Sequence, residues 1–215
     1  MRFIIILISL FCFINATAQW GIQIRSNHNQ FNELARISGI DNQTILPHSM
    51  ELGVDYWFRL KNYRWEFYPE FSIERVLQSQ TLDLENTLSF SSYRLSLRNQ
   101  IYFLNWSEDC DCPTFSKQGN PLSDGLHVIF GPGVGLHNYK TPLEGSEQGI
   151  YFFWFGGVGL DLGITNVITI TPQVVYRGHL NHQWPALAED NAFNYSSWSP
   201  SVRLGIRLDY SRRRR

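Results

Sequence analysis

The chain ends in SVRLGIRLDYSRRRR, and residues 201–210 of this stretch alternate strictly between apolar and other side chains. The apolar side of this alternation consists of Val202, Leu204, Ile206, Leu208 and Tyr210. Because successive side chains of a β-strand point to opposite faces, the segment predicts a strand with one apolar and one charged face. Two environments produce such a strand: a sheet over a soluble core, and the wall of a membrane barrel with lipid outside and a polar lumen inside.

The first 18 residues have the features of a secretory signal peptide. Arg2 is followed by an apolar run over residues 3–14, and Ala16 and Ala18 form an A-x-A cleavage signal. We therefore expect a mature chain of one domain over residues 19–215. Without Arg2 it holds 17 basic and 19 acidic residues, a near balance that argues against a nucleic-acid partner.

Membrane crossing by a helix is not predicted for the mature chain. Its longest apolar run, residues 150–160, is shorter than the roughly 18 residues that a membrane helix needs. Aromatic residues nevertheless make up 15% of the chain, while the mean hydropathy is only -0.22. This combination is typical of a barrel that alternates lipid-facing and lumen-facing side chains.

Period-two patterns predict eight strands, at residues 19–25, 48–60, 64–75, 90–104, 125–139, 151–164, 168–177 and 198–210. Most of them reach the roughly 9 to 11 residues that cross a bilayer as a tilted strand. Short turns alternate with long polar connections, and an even strand number places both termini in the periplasm. We predict an all-β fold, an eight-stranded antiparallel up-and-down transmembrane β-barrel with an N-terminal signal peptide.

The predicted outward faces carry no charge, and their aromatic residues collect at two heights. The periplasmic ends hold Trp20, Tyr56, Phe58, Trp65, Phe67, Phe103 and Tyr210, and the external ends hold Phe152, Trp154, Tyr176 and Trp198. Interfacial aromatic girdles produce this distribution. A soluble sandwich gives no reason for it.

The opposite faces carry eight arginines and seven carboxylates. These residues are Arg25, Glu51, Asp55, Arg59, Arg64, Glu66, Glu70, Glu74, Arg94, Arg98, Asp161, Arg177, Arg203, Arg207 and Asp209. The interior of an eight-stranded barrel is only wide enough for side chains to fill it. We therefore predict a lumen plugged by ion pairs, in which arginine binds carboxylates through its planar fork.

Glycines make part of the wall bare on its predicted inner face. They are Gly131, Gly133 and Gly135 on the fifth strand and Gly157, Gly159 and Gly163 on the sixth. One interpretation is that they leave room for large inward groups such as Trp57 or Tyr68 and let the wall curve. The other interpretation is a hollow for a small ligand.

Five segments carry a resemblance to a known group: WEFYPEFS (65–72), CDCPTFSKQGN (110–120), VIFGPGVGL (128–136), GLDLGITNVITITP (159–172) and LGIRLDY (204–210). With the signal and the girdles, the chain resembles small outer-membrane β-barrels of the OmpA/OmpX type. More narrowly, it is similar to porin-superfamily barrel proteins of Bacteroidota, which include PorT-like proteins. The resemblance spans nearly all of the mature chain and implies an outer-membrane location.

Two features depart from a regular barrel. Pro69, Pro132 and Pro172 lie inside strands that hydrogen-bond on both sides, so we expect bulges there. The connection over residues 105–124 is long although it falls on the predicted periplasmic side, where such barrels have short turns.

Few residues are candidates for a disulfide, a catalytic site or a metal site. Cys110 and Cys112 form a C-D-C in the connection at 105–124, and we interpret them as a candidate structural disulfide, with a redox or metal role as the alternative. The predicted external rim holds histidines and carboxylates without a recognisable catalytic spacing, namely His137, His179, His182, Glu144 and Glu189. We predict no catalytic residue, metal site or cofactor.

The function expected from these features is that of a monomeric outer-membrane barrel with a structural or partner-binding role. Its contacts are outer-membrane lipid and, through the external loops, an envelope protein. A lipid-modifying or proteolytic barrel enzyme and a narrow channel are the alternatives.

Overall fold

The computed structural model describes residues 19–30, 48–59, 63–76, 81–82, 86–87, 89–104, 121–141, 145–165, 167–183 and 192–207. Outside these ranges lie the predicted signal peptide, Cys110, Cys112, Glu144, Glu189 and residues 208–215 with Asp209. The side chains of Arg59, His182 and Arg207 also lie outside the described part of the chain.

Eight strands form the wall: β1 (Gln19–Gln30), β2 (His48–Arg59), β3 (Trp65–Val76), β4 (Ser89–Ile101), β5 (Leu126–Thr141), β6 (Gly145–Leu160), β7 (Ile168–Gln183) and β8 (Ala192–Arg207). Each strand pairs antiparallel with the next. The last strand pairs with the first, with Trp20 opposite Ile206 and His28 opposite Trp198. The predicted eight-stranded antiparallel up-and-down barrel is confirmed.

The two ends of the barrel differ in their connections. We call the end that holds Gln19 and Arg207 the terminal end; it carries the β2–β3, β4–β5 and β6–β7 connections. The opposite end, the loop end, carries the β1–β2, β3–β4, β5–β6 and β7–β8 connections. Leu162–Gly163 continues β6 at the terminal end, and Thr81–Leu82 pairs with Asn86–Thr87 between β3 and β4.

No helix within the described ranges is long and apolar enough to cross a membrane.

The wall has the reverse polarity of a soluble protein. Apolar side chains cover its outer face, where Ile24, Leu95 and Val158 each keep more than half of their surface exposed. Aromatic rings contact each other at both ends of this face. At the terminal end the Trp20 and Tyr56 ring centroids lie 5.4 Å apart, and at the loop end those of Tyr176 and Trp198 lie 4.9 Å apart. Lipid is the environment that such a face requires.

The expectation of bulges at the three strand prolines is wrong. Beside Pro69 the β2–β3 pairing omits two residue pairs, yet the register is unchanged from Asp55–Glu70 to Phe58–Phe67. The pairings beside Pro132 and Pro172 are interrupted in the same way without a shift. A proline removes one backbone donor, and here the strand passes the missing bond without gaining a residue. Among the described pairings, a register shift occurs between His179 and His182.

An asparagine side chain replaces the backbone donor that Pro132 lacks. Asn99 donates from its amide nitrogen to the carbonyl oxygens of Leu97 and Phe130, both at 3.3 Å. The Trp65 indole donates to the Asn99 amide oxygen at 3.3 Å. The carbonyl opposite Pro132 therefore keeps a partner in a part of the wall where water is absent.

Candidate functional site

The lumen brings together twelve of the charged residues expected there. Each of them is at most 5% exposed: Arg25, Glu51, Asp55, Arg64, Glu66, Glu70, Glu74, Arg94, Arg98, Asp161, Arg177 and Arg203. Strand alternation places most of them, because they occupy inward positions of β1 to β4, β7 and β8. Six arginines and six carboxylates are thus enclosed together.

Glu51 on β2 binds several of these residues at once, in the part of the lumen nearer the loop end. Its carboxylate accepts hydrogen bonds from Arg25 at 2.6 Å, Arg94 at 2.8 Å and Arg177 at 3.0 Å. The Ser72 hydroxyl adds a fourth bond at 2.6 Å. One carboxylate therefore joins β1, β3, β4 and β7 across the lumen.

Asp55, which lies further along β2 toward the terminal end, binds two arginines. Arg203 donates to both of its oxygens, at 2.6 and 2.8 Å, and Arg98 donates at 2.8 Å. Gly21 makes room for this group, since a Cβ atom there would lie 2.4 Å from an Arg203 nitrogen and 2.5 Å from Asp55 Oδ1. This bidentate pair links β8 to β2 on the lumenal side of β1, the strand that lies between them.

Two further carboxylates complete what we call the central cluster: Arg25, Arg94, Arg98, Arg177, Arg203, Glu51, Asp55, Glu70 and Glu74. Glu70 accepts from Arg25 at 2.7 Å and lies 3.5 Å from Arg98, and Glu74 pairs with Arg94. The Gln23 amide oxygen also accepts from Arg25 at 2.6 Å and from Arg98 at 2.5 Å. These bonds pair buried charges that would each be costly if left alone in a low-dielectric interior.

A smaller terminal cluster occupies the mouth at the terminal end and contains Arg64, Glu66, Tyr68, Tyr102, Asp161 and Thr171. The Tyr102 hydroxyl lies 2.5 Å from Asp161 Oδ2 and 3.0 Å from Glu66 Oε2. Tyr68 donates to Glu66 at 2.5 Å, and its ring lies 4.6 and 4.7 Å from the guanidinium carbons of Arg98 and Arg203. Tyr68 thereby connects the two clusters.

The end of the long β4–β5 connection packs against this mouth. Its last part is a single π-helical turn, Pro121–Gly125. Arg64 donates to the Asp124 carbonyl at 2.5 Å, and the Asp161 amide donates to the Gly125 carbonyl at 3.0 Å. The described part of this connection therefore covers the terminal end instead of extending away from the barrel.

Aromatic rings of β6 occupy the glycine face of β5. Ideal Cβ atoms on Gly133 and Gly135 would lie 2.1 Å from Phe153 Cζ and 2.3 Å from Tyr151 Cζ. A Cβ on Gly131 would lie 2.1 Å from the Leu97 carbonyl oxygen, so close approach of the β4 backbone excludes a side chain there. Room for large inward groups is thus the interpretation that the geometry supports at Gly133 and Gly135, instead of a ligand hollow.

The rings that fill that space are not those of Trp57 or Tyr68, the two examples that the sequence analysis named. Tyr68 packs with Arg98 and Arg203, and no contact joins Trp57 to the glycines among the closest neighbours of their ideal Cβ atoms. The actual rings come from the strand that faces β5 directly, because antiparallel register sets Tyr151 opposite Gly135 and Phe153 opposite Gly133.

Two of the rim histidines lie within this aromatic layer. His179 is 1% exposed and stacks on Tyr195, with ring centroids 3.9 Å apart and planes 3° apart. His137 is 2% exposed and stacks on Tyr151 at 5.6 Å. Within the described ranges no group of three or more His, Cys, Asp or Glu side chains is arranged to hold a metal ion.

Sequence analysis missed the neutral members of the lumen. Gln23, Asn27 and Tyr151 bridge the charged groups: Asn27 donates to Glu74 at 2.7 Å, and Tyr151 accepts from Arg94 at 2.7 Å. The available signal was their inward position in the alternation, shared with the charged residues on either side.

Comparison with solved structures supports the fold. Neisserial surface protein A (NspA) superposes with a TM-score of 0.52 at 10% identity, over 88% of this chain and 97% of that chain. Ail of Yersinia pestis gives 0.44 at 12% identity over 88% and 97%, and a major outer membrane protein from Thermus thermophilus gives 0.46 at 10% over 90% and 100%. No family model matches the chain, and no curated protein matches it in sequence. The fold is that of an outer-membrane β-barrel.

Proposed function

We propose that the protein is a non-enzymatic outer-membrane barrel with a plugged lumen and a structural or partner-binding role. The observation that carries this proposal is the central cluster, in which four carboxylates and five arginines are buried and bonded to one another. Removing one partner of such a pair leaves a buried charge, at a cost of about 3 to 5 kcal/mol. Spontaneous opening of the lumen is therefore rare.

The closed wall leaves an envelope protein only the two ends of the barrel as binding surfaces. β8 pairs with β1 over residues 19–30, so this closed part of the wall offers no strand edge for augmentation by another chain. We place the termini in the periplasm and the binding surface on the loop end of a monomeric barrel. The resemblance of the five sequence segments quoted above to PorT-like barrels of Bacteroidota is consistent with this proposed role.

Planar-bilayer recording tests the plug. The unmodified protein should show little steady conductance, because the central cluster fills the lumen. Arg98→Ala removes the donor shared by Asp55, Glu70 and Gln23 and should produce openings. Tyr93→Ala, on the outer face of the same strand, is the matched control and should behave as the parent. Large, steady openings of the unmodified protein would contradict the plug.

Surface labelling of intact cells tests the orientation. Epitope tags inserted in residues 31–47 or 184–191 follow the loop ends of β1 and β7 and should be bound by antibody without permeabilisation. Labelling that requires permeabilisation, or recovery of the mature protein as a soluble periplasmic species, would refute this arrangement.

A further inference from the structure

Arg75 differs from the other strand arginines whose side chains the structure describes. Those arginines are buried in the lumen, whereas Arg75 is exposed on the outer face at the loop end of β3. The prediction that the outward faces carry no charge is therefore wrong at Arg75. It lies opposite Met50 on β2 and Ser91 on β4. No carboxylate among the described residues forms an ion pair with it. Toward the end of the wall a lipid-facing arginine costs little, and it attracts anionic lipid headgroups.

Two histidines lie beside Arg75 on the same face. His28 and His48 are directly paired and exposed, with ring centroids 4.8 Å apart and planes at 89°. Met50 on β2 is the register partner of Arg75 on β3, and His48 precedes Met50 by two residues. His48 is therefore the diagonal neighbour of Arg75. Together they place one guanidinium and two imidazoles on a single patch.

The patch lies at the level of the lipid headgroups. Trp198 pairs with His28 in register and belongs to the loop-end girdle, where its ring contacts Tyr176. Aromatic girdles mark the boundary between acyl chains and headgroups. Directly below the patch the wall is apolar, with Ile24 53%, Leu52 53% and Ile73 37% exposed. Acyl chains can cover that surface while a headgroup reaches the patch.

We propose that Arg75, His28 and His48 bind the phosphate of an anionic membrane lipid. A guanidinium binds phosphate oxygens bidentately, and each imidazole supplies a ring N–H donor. Every carboxylate side chain that the structure describes in the strands is enclosed in the lumen, so none of them competes with the phosphate on the outer wall. The exposed apolar wall next to the patch, which acyl chains can cover, favours a lipid over a free phosphate ion at this position.

Native mass spectrometry of the full-length barrel released from detergent micelles tests this proposal. With phosphatidylglycerol as the probe, Arg75→Gln should lower lipid occupancy about fivefold, the effect of one basic residue near an anionic surface. Arg75→Lys, which keeps the charge, should retain most of the binding. His28→Gln with His48→Gln should weaken it further, and Phe152→Gln, on the outer face of β6 across the barrel from the patch, should not change it.

Two arms separate the sources of binding. Phosphatidylcholine should bind all variants equally, and excess inorganic phosphate should leave bound phosphatidylglycerol in place. Heat-modifiable gel mobility verifies that each variant is folded. Equal phosphatidylglycerol occupancy of folded Arg75→Gln and the parent would overturn the proposal. Displacement of the lipid by inorganic phosphate would overturn the assignment to a lipid.

Discussion

Asn99 is a polar residue on the lipid side of the wall, where its amide compensates for a proline on the next strand. It lies in register with Phe67 and Phe130 and is 8% exposed because the Trp65 indole covers it. In the hydrocarbon core of a membrane, a carbonyl without a protein donor has no water to bond with instead. The side chain therefore has a structural role that hydrophobic patterning does not reveal.

We expect Asn99→Leu to lower the free energy of unfolding by about 1 to 3 kcal/mol, since it leaves the Leu97 and Phe130 carbonyls without this donor. Urea unfolding in lipid vesicles measures the change. Tyr93→Leu, an exposed position on the same strand, should stay within about 0.5 kcal/mol of the parent. A neutral Asn99→Leu would show that the amide bonds do not stabilise the β4–β5 seam.

At the scale of elements, β5 and β6 act as a matched pair of surfaces. Glycines on β5 leave space that aromatic rings on β6 fill. A hydrogen bond with the Ser92 hydroxyl at 2.6 Å and one donated by Arg94 at 2.7 Å hold the Tyr151 hydroxyl in place. The Tyr151 ring therefore has little freedom to move away from Gly135. The aromatic layer and the ion-paired layer meet at this residue.

Gly135→Ala should consequently destabilise the barrel by about 1 to 3 kcal/mol through overpacking against Tyr151. Gly156→Ala is the matched control, because the nearest atom to its ideal Cβ lies 3.9 Å away. Thermal unfolding followed by heat-modifiable gel mobility compares the two variants. Equal stability of both would mean that the glycine face is not closely packed.

The extent of the strands shows what the sequence could and could not predict. Strand number, order and facing follow from alternation, but β1, β6, β7 and β8 each extend five or six residues further at the loop end than the pattern indicates. The β1 extension, SNHNQ at 26–30, is polar on both faces and gives no period-two signal. Backbone pairing with neighbouring strands orders it, and Arg75 and His28 fall near or within this zone. The partners of each lumenal charge were equally unpredictable, because they depend on register across non-adjacent strands.

At the scale of the whole molecule, the lumen is one electrostatic unit. The central cluster has one arginine more than carboxylates and the terminal cluster has one carboxylate more than arginines, so the twelve charges balance. Ion pairs cross the lumen between strands that do not touch in the wall, as between Glu51 on β2 and Arg177 on β7. Such bonds hold the barrel closed from inside while the apolar wall faces lipid.

Two adjacent residues of β8 test this account most directly, because they face opposite environments. Arg203 is 4% exposed and bound bidentately to Asp55, whereas Leu204 is 39% exposed on the outer face. The free energy of unfolding in lipid vesicles should fall by about 3 to 5 kcal/mol for Arg203→Leu, which leaves Asp55 with one arginine fewer. It should fall by roughly 1 to 3 kcal/mol for Leu204→Arg, which lies between mid-depth and the terminal-end girdle, because the cost of a lipid-facing arginine falls from the midplane toward the interfaces. A neutral Arg203→Leu would contradict the ion-paired lumen, and a neutral Leu204→Arg would contradict the lipid-facing wall.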